Sequence, residues 1–508
     1  MPQPSAPPKQ TSLFDPSRNC WRVSTADKFE LVVDGAAYFT ALREALVAAE
    51  KQVLLVGWDF DLEIEMLPGE SDKDGNAPDG YPNKVIDFIE AVVDRNPNLM
   101  IYLLRWSGSA LIAPGRMVPA LRLKLVGPDR IRLALDGRHP VGACHHQKIV
   151  VVDDRLAFCG GIDVTDARWD TPDHAPDDPR RVLKDGSPAA PWHDVTNAVT
   201  GPAARDLGDL ARARWLRATD EELTPPDLPS GDIWPASLDV SCRDIPVAIS
   251  RTNPPEEDRP LINEIEEMVM DEIASAQSLI YVESQYFASD AVNHALSQRL
   301  SEKDGPDVIV INPVAATNAV EDNAMHVTRT RMVEELRSVD HENRFRIWSP
   351  VNAAEEPIYV HAKVCVIDDR ILRVGSSNVD RRSLGFDTEC DLTIEAQDDA
   401  TRQIIADLRN RLLAEHLGCT PGTLAEKLAE SGRVLPAVEA LNAPDGRGLR
   451  SPDLKEDTGA GALMADTRML DPRFERGTSK RRVLTSRHIA FGAAAFVIAG
   501  TAYRYLLK

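Results

Sequence analysis

Apolar residues along this chain follow two patterns, one with the period of a helix and one typical of a buried strand. Helical spacing runs through residues 38–50, 84–94 and 116–125. Short apolar runs with the composition of buried strands cover residues 53–61, 99–104 and 131–135. This alternation predicts an α/β fold in which helices pack on the faces of a sheet.

The same order of elements returns in the second half of the chain. The predicted strands there cover residues 245–250, 279–282, 307–311 and 344–348. The predicted helices cover residues 260–277, 290–302, 326–338 and 400–417. Residues 219–238 between the halves are acidic and rich in proline, as linkers are. We therefore expect two similar α/β lobes produced by internal duplication.

These patterns divide the chain into six segments. They are a disordered N-terminus (1–20), a first lobe (21–218), a linker (219–240), a second lobe (241–420), a helical or disordered linker (421–486) and a C-terminal membrane anchor (487–508).

The predicted anchor depends on residues 489–502, which are uncharged and mostly apolar and follow a basic run at 480–482. A spanning helix needs about 17–25 apolar residues, and this stretch reaches that length only by including Arg504. An interfacial or partner-binding helix is therefore the alternative. The basic flank favours an anchor that holds the protein on the cytoplasmic face of a membrane.

Charge and cysteine content narrow the function further. The formal net charge is -22, which argues against a broad nucleic-acid-binding surface because such surfaces are basic. Seven cysteines are scattered without a C-x-x-C pair. We therefore predict reduced thiols in a cytosolic protein, with neither a disulfide framework nor a zinc site.

The chemistry is concentrated in a triplet that the chain contains twice. The triplets have the spacing H-x-K-x-x-x-x-D and consist of His146, Lys148 and Asp153, and of His361, Lys363 and Asp368. Seven residues after each aspartate comes a turn of small residues, GGID at 160–163 and GSSN at 375–378. One such triplet is expected by chance on the order of once in ten thousand positions, so two copies in one frame indicate a repeated functional unit.

Each triplet has features suited to binding a phosphate. A histidine and a lysine two positions apart on a strand point to the same face, and a charge on a buried strand needs a partner. The aspartate opens a turn in which its carboxylate can accept hydrogen bonds. The small residues that follow allow backbone N–H groups to approach an anion closely.

Two such units can place two histidines on opposite sides of one phosphorus atom. One imidazole can then attack while the other protonates the leaving alkoxide, and a reference pKa of about 6.5 suits both roles. Lys148, Lys363 and Asn378 would bind the non-bridging oxygens as negative charge builds. Two cations already flank the phosphate, so we predict neither a metal nor another cofactor.

With these paired triplets the chain resembles the phospholipase D superfamily, whose defining signature is the paired H-x-K-x-x-x-x-D motif. Segments such as PWHDVTNAVTGP, IYVESQYF and VGSSNVDRRSLGFDTEC are similar to the eukaryotic-type phospholipases D that hydrolyse phosphatidylcholine. The resemblance covers most of residues 40–420. It implies a two-lobed fold with one site between the lobes, and a phosphatidyl-histidine intermediate that water or a primary alcohol resolves.

The resemblance also assigns roles to individual residues. His146 would be the nucleophile and His361 the general acid, with Asp153 and Asp368 as structural and catalytic carboxylates. Glu389 resembles the acid that orients His361, and Asp170 is the candidate for orienting His146. The remaining supporting residues are Ser376 and Asp163 in the two turns, and Glu283 and Gln285, which would line the site or cap a strand.

We therefore expect a phospholipase D that acts on phospholipid at a membrane surface, uses water or a primary alcohol as acceptor, and does not bind nucleic acid. A phosphatidyltransferase of the cardiolipin synthase type is the alternative. A nuclease or phosphodiesterase is disfavoured by the acidic charge. A non-catalytic lipid-binding protein is disfavoured because both triplets are intact.

Overall fold

The computed structural model describes residues 12–109, 113–227, 231–256, 259–315, 319–454, 466–468 and 471–474. The strands are β1 (Arg22–Val33), β2 (Gln52–Gly57), β3 (Met100–Trp106), β4 (Ile131–Asp136), β5 (Ile149–Val152), β6 (Leu156–Gly160), β7 (Trp192–His193), β8 (Val195–Thr200), β9 (Cys242–Asn253), β10 (Ile262–Asn263), β11 (Leu279–Ser284), β12 (Asp307–Ile311), β13 (Phe345–Val351), β14 (Tyr359–Val360), β15 (Lys363–Ile367), β16 (Ile371–Gly375), β17 (Glu389–Glu395) and β18 (Gly448–Arg450). The helices are α1 (Asp34–Val47), α2 (Val85–Arg95), α3 (Met117–Val126), α4 (Pro202–Thr219), α5 (Glu264–Ser275), α6 (Asp290–Ser301), α7 (Ala319–Val339), α8 (Arg381–Gly385), α9 (Asp399–Leu417), α10 (Pro421–Ser431) and α11 (Val434–Leu441).

One large mixed sheet runs through the whole molecule and is joined at its centre by the long strands β1 and β9. These two strands pair antiparallel, with Arg22 opposite Ile249 and Phe29 opposite Cys242. The same succession of pairings then runs outward on both sides. β1, β8, β6, β5 and β2 pair antiparallel in that order, and β3 and β4 continue in parallel. β9, β17, β16, β15 and β11 pair antiparallel, and β12 and β13 continue in parallel.

Strands from the two sides also contact each other away from the central pair. The Asn197 side chain on β8 donates to the carbonyls of Cys159 (3.1 Å) and Val374 (3.0 Å). The Cys159 thiol on β6 contacts the carbonyl of Cys390 on β17 at 3.6 Å. The sheet is therefore folded so that β6 and β8 face β16 and β17.

The apolar core explains why these strands are central. The residues of β5 and β15 are buried, and they are mostly β-branched, which suits strands covered on both faces. One continuous cluster joins β-strand residues of both halves with α4, α9 and α11. Separate clusters cover the outer faces, one with α1 and α2 and the other with α5 and α6.

Sequence patterning located most elements but not the central strand β1. Its residues RVSTADKFELVV contain too many polar positions to predict a strand from alternation alone. The stretch 12–20 was predicted to be disordered, yet Asn19 is fully buried and its side chain donates to Asp271 at 2.7 Å. Residues 448–450, predicted as linker, form β18 on the edge of β13.

Within the described ranges, no helix combines the length and apolar character needed to cross a membrane. The predicted C-terminal anchor at 487–508 lies outside those ranges.

Candidate active site

The two motif histidines lie just before β5 and β15, and each is held by the opposite half of the chain. The His146 N–H donates to the carbonyl of Thr388 (2.9 Å), and the His361 N–H donates to the carbonyl of His193 (2.8 Å). β7, which contains His193, pairs in parallel with β14, which directly precedes His361. Each half of the chain therefore fixes the position of the other half's histidine.

The His146 ring is oriented by residues of the second half. Its Nδ1 lies 3.0 Å from both carboxylate oxygens of Glu389 and 3.1 Å from the carbonyl of Ser376. The Ser376 hydroxyl donates to Glu389 Oε2 at 2.5 Å. Glu389 is fully buried, and burial raises the pKa of its carboxyl group well above the usual range. Its contact with Nδ1 fixes the direction of the imidazole.

The His361 ring is oriented by a residue that the sequence reasoning missed. Its Nδ1 lies 2.7 Å from Oδ2 of Asp194, a fully buried carboxylate directly before β8. The assignment of Glu389 to His361 is therefore wrong, because Glu389 contacts His146. The reason is the facing arrangement of β8 and β17, from which each carboxylate reaches the histidine of the opposite half.

A signal for Asp194 was present in the repeat. Gly161 N–H donates to the carbonyl of Val195, and Ser376 N–H donates to the carbonyl of Cys390. Asp194 and Glu389 each directly precede these acceptor residues and are therefore structural counterparts. The equivalence of Asp194 and Glu389 is not visible in their distances from the two triplets, because the loop 161–191 is much longer than the segment between β16 and β17.

The small residues after each triplet allow these carboxylates to approach closely. A side chain at Gly161 would place its Cβ 2.1 Å from Asp194 Oδ1. The N–H groups of Ser376 and Ser377 each donate to Asp391 Oδ1 at 3.1 Å. The turns were predicted to offer their N–H groups to an anion, but these groups bond within the fold.

The two lysines reach the same region with different partners. Lys148 Nζ lies 3.1 Å from Oδ2 of Asp163 and donates to the carbonyl of His146 at 2.9 Å. Lys363 Nζ donates to the carbonyl of His361 and lies 3.4 Å from Oε1 of Gln285. Lys148 therefore has a buried counter-charge, whereas Lys363 has neutral partners.

Two further predicted residues are close to this arrangement. The Gln285 amide donates to the hydroxyls of Tyr286 and Tyr359, at 3.0 Å each, so Gln285 holds its oxygen toward Lys363. The Asn378 Oδ1 atom is buried and has no hydrogen-bond partner among the residues that the structure describes. Such an atom carries a desolvation cost that a bound donor would relieve.

The electrostatics keep both histidines neutral near pH 7. Burial, reinforced by the charges of Lys148 and Lys363, holds the pKa of His146 well below its usual range. Burial, Lys363 and Arg168 hold the pKa of His361 well below its usual range, with smaller effects from Lys148 and His146. Burial also lowers the pKa of Lys363 to about 7. The two motifs therefore share one electrostatic environment.

The motif aspartates serve the backbone. Asp153 accepts hydrogen bonds from the N–H groups of residues 50, 51 and 52 at 2.6–2.8 Å. Asp368 accepts from the N–H groups of residues 277, 278 and 279 at 2.6–2.8 Å. Both lie at the ends of β5 and β15 that are remote from the histidines. The predicted structural role fits this geometry, but no described contact links either carboxylate to the site.

Asp170 and Glu283 belong to a buried cluster behind the site. Asp170 contacts Nδ1 of His174 (2.9 Å) and Arg181 (3.1 Å), so its proposed contact with His146 is wrong. The loop holds Asp170 away from His146, and its carboxylate accepts a hydrogen bond from the backbone N–H of Trp192 at 2.9 Å. Glu283 contacts Nε2 of His193 at 2.8 Å.

The same cluster contains the donor types of a metal site. Among the described residues, the candidate sets are Asp34, His174, His193 and Glu415, and His193, Glu283 and His416. Glu415 Oε1 lies 2.7 Å from His193 Nδ1 and 3.1 Å from His174 Nε2, and Glu283 Oε1 lies 3.1 Å from His416 Nε2. These are hydrogen-bond distances. Burial by itself would lower the pKa of His174, but Asp34, Asp170 and Glu415 outweigh burial and raise that pKa to about 9. Hydrogen bonds therefore join most of the cluster, but Asp34 Oδ2 and His416 Nδ1 are buried with no hydrogen-bond partner among the described residues.

Family models match both motif regions. Residues 138–312 match the family described as Phospholipase D. Residues 269–412 match the family described as Cardiolipin synthase, PLD-like domain. The first triplet lies in the first match and the second triplet in the second.

The curated relatives are distant and longer than the matched region. The chain is 25% identical over 385 residues to Phospholipase D1 of Schizosaccharomyces pombe. This match covers 56% of this chain and 28% of that protein. It is 25% identical over 403 residues to Phospholipase D alpha 1 of Carica papaya, which covers 56% of this chain and 50% of that protein. The chain thus spans half or less of the length of these relatives.

A solved structure shares the fold. Phosphatidylserine synthase from Haemophilus influenzae superimposes with a TM-score of 0.54 at 13% identity, covering 82% of this chain and 95% of that one.

Proposed function

Because the chain belongs to the phospholipase D superfamily, we propose that it is a phospholipase D that hydrolyses the distal phosphodiester bond of a glycerophospholipid to phosphatidic acid and a free head group. One observation carries this proposal. Two neutral imidazoles, one from each triplet, are each tethered by the opposite half and bound at Nδ1 to a buried acid. No described residue hydrogen-bonds Nε2 of either ring, so Nε2 is the reactive nitrogen of both.

The first step forms a covalent intermediate. His146 Nε2 attacks phosphorus and forms a P–N bond while the bond from phosphorus to the head-group oxygen breaks. His361, protonated at Nε2, gives its proton to the departing alkoxide. The bound phosphodiester carries a negative charge, and a nearby negative charge raises the pKa of an imidazole. Bound substrate therefore stabilises the protonated form of His361.

The second step reverses these roles. His361, now neutral, accepts the proton of water, and the oxygen of water attacks phosphorus. The P–N bond breaks, which restores His146 and releases phosphatidic acid. A primary alcohol in place of water gives a phosphatidyl-alcohol by the same transfer.

The two-lobed architecture is part of the proposal. Matching strand orders on either side of the β1–β9 pair support an internal duplication with the site between the lobes. Asp194 and Glu389 as equivalent acids, each serving the other lobe's histidine, support it further.

The test is a product assay on the purified full chain. It is incubated with phosphatidylcholine vesicles, with and without 1-butanol, and we expect phosphatidic acid and phosphatidylbutanol. The His146→Ala variant should form no acid-labile phosphoenzyme, and His341→Ala, which changes an exposed histidine, should behave as wild type. A His146→Ala variant that still forms the phosphoenzyme would transfer the nucleophilic role to His361. If wild type forms neither product while plasmid DNA is cut, the lipase proposal fails.

The match of residues 269–412 to a cardiolipin synthase family favours one second candidate, a phosphatidyltransferase. The same two steps would then use the hydroxyl of a second phospholipid in place of water. Adding phosphatidylglycerol to the assay separates the two functions. Cardiolipin as the main product would favour transfer, and phosphatidic acid as the main product would favour hydrolysis.

We also propose that residues 487–508 anchor the protein at a membrane, with the basic run 480–482 on the cytoplasmic side. Deleting residues 487–508 should move the protein from the membrane fraction to the soluble fraction. Unchanged partitioning would contradict the anchor.

A further inference from the structure

The charge of Arg168 acts on both His361 and Lys363. Arg168 lies in the loop after the first motif, five residues beyond Asp163. Its repeat counterpart, 215 positions later, is Ser383, which lies in the short helix α8. The second half therefore has no arginine at the position equivalent to Arg168.

This guanidinium has no counter-charge of its own. Among the described residues, no carboxylate lies within ion-pair distance of it, and its one hydrogen bond is a long contact of 3.5 Å to the carbonyl of Ala167. Its Nε is buried and has no hydrogen-bond partner in the described part of the chain. An unpaired, partly buried guanidinium is costly, and burial lowers its pKa even though Asp163 and Asp194 lie near enough to oppose that effect.

The surroundings fix the guanidinium against an aromatic surface. Its central carbon lies 3.9 Å from the centre of the Trp192 ring. The same indole stacks on Tyr359 at 4.6 Å and contacts the His361 ring at 5.1 Å. Stacking on an aromatic face holds the guanidinium plane and leaves its N–H edge available. Trp192 thus contacts both the guanidinium of Arg168 and the ring of His361, the histidine that would protonate the leaving group.

The other two cations of the site are weaker anion ligands. Lys148 is neutralised by Asp163 at 3.1 Å, and the pKa of Lys363 is about 7. Arginine remains charged at any physiological pH and presents a fork that matches two oxygens of a phosphate. We propose that Arg168 binds the non-bridging oxygens of the substrate phosphodiester together with the two lysines of the site.

This inference rests on the proposed function for its substrate, but the anion site can be tested without lipid. Inorganic phosphate is titrated calorimetrically into the full chain. We expect Arg168→Gln to weaken phosphate binding at least about tenfold, and Arg168→Lys to weaken it as well because lysine lacks the fork. The matched control is Arg180→Gln, which removes an arginine of the same loop that lies over Trp169 at 4.8 Å. It should bind phosphate as wild type does.

A second arm separates the phosphodiester from a head-group carboxylate. With phosphatidylcholine and phosphatidylserine as substrates, Arg168→Gln should lower kcat/KM by about 10²-fold for both. A loss confined to phosphatidylserine would overturn the proposal, because the arginine would then recognise the carboxylate. Thermal unfolding confirms that each variant is folded, and Arg168→Lys decides the question if Arg168→Gln is not.

The two proposals fail in different ways. Arg168-dependent phosphate binding by a wild-type protein that cleaves no phospholipid would sink the proposed function and leave the anion site standing. Phosphate binding by Arg168→Gln at wild-type strength would overturn the anion site, whatever the lipid assay shows.

Discussion

At the scale of single residues, the site consists of two histidines whose supporting acids come from opposite halves. Asp194 and Glu389 are both fully buried, and each is bonded to Nδ1 of one ring. A carboxylate in that position selects the tautomer that keeps Nε2 ready to react. The acids therefore control which nitrogen does the chemistry.

Replacing Asp194 by asparagine should lower kcat by about 10³–10⁴-fold, because an amide can hold the imidazole in the wrong tautomer. The measurement is the rate of phosphatidic acid release across pH. Asp170→Asn is the control, since it changes an equally buried acid whose partners are His174 and Arg181. That variant should lose stability while the pH profile keeps its shape. Wild-type turnover in Asp194→Asn would mean that the carboxylate only fills space.

The lowered pKa of Lys363 predicts a pH dependence of substrate capture. Its ammonium is charged below about pH 7 and neutral above it, so kcat/KM for an anionic phosphodiester should fall as pH rises through 7. Lys363→Arg should remove this alkaline decline, because arginine stays charged. Lys148→Arg should keep the decline, since Lys148 lies on Asp163. An unchanged decline in Lys363→Arg would assign it to another group.

The residues of each triplet could be predicted from sequence because the strand period fixes which side chains share a face. The partners of the histidines could not. Asp194 and Glu389 meet their histidines across the fold, and no local period encodes such a contact. Arg168 was missed for the same reason, since its significance comes from Trp192 and His361 beside it.

At the scale of elements, each motif strand is held at one end by its aspartate. Asp153 has φ of +55° and Asp368 has φ of +54°, a conformation that aspartate and asparagine tolerate better than most residues. From it, each carboxylate accepts three backbone N–H groups. The spacing of the triplet thus places the histidine at one end of a strand and the aspartate that fixes the strand at its other end.

Asp153→Asn should therefore lower the free energy of unfolding by about 1.5–3 kcal/mol, because charged acceptors are lost while the backbone conformation is kept. Denaturant unfolding measures this change. Turnover per folded molecule should stay within about twofold of wild type, and Asp368→Asn should behave alike as the equivalent change in the other half. A large fall in turnover at unchanged stability would instead make Asp153 part of the chemistry.

Element positions were predictable where apolar periodicity was strong, as in the strands β5 and β15. The two-residue strands β7 and β14 leave no such pattern. Their pairing depends on Trp192 stacking on Tyr359, which is a tertiary contact between residues 167 positions apart. β1 was hidden by its polar residues and is central only because β9 pairs with it.

At the scale of the whole molecule, the two halves depend on each other structurally and chemically. Separation would expose the long strands β1 and β9 as open edges. It would also remove each histidine from its acid and its backbone tether. The net charge of -22 opposes self-association but cannot compensate for those losses.

Residues 1–240 and 241–508 expressed separately should each aggregate and show no lipid cleavage. Co-expressed, they should form a complex through β1 and β9 and recover activity, as measured by affinity capture of one tagged half and the product assay. Activity in either half alone would contradict a shared site.

The contact between Cys159 and Cys390 has a consequence for measuring how the molecule moves. Both thiols are fully buried on strands that face each other, and neither can meet a reagent while β6 and β17 stay together. Their rate of alkylation in native buffer, measured by mass spectrometry, therefore reports how often the two halves separate. We expect Cys419, which is partly exposed, to react first, and the two facing cysteines to react together at the much slower pace of global opening.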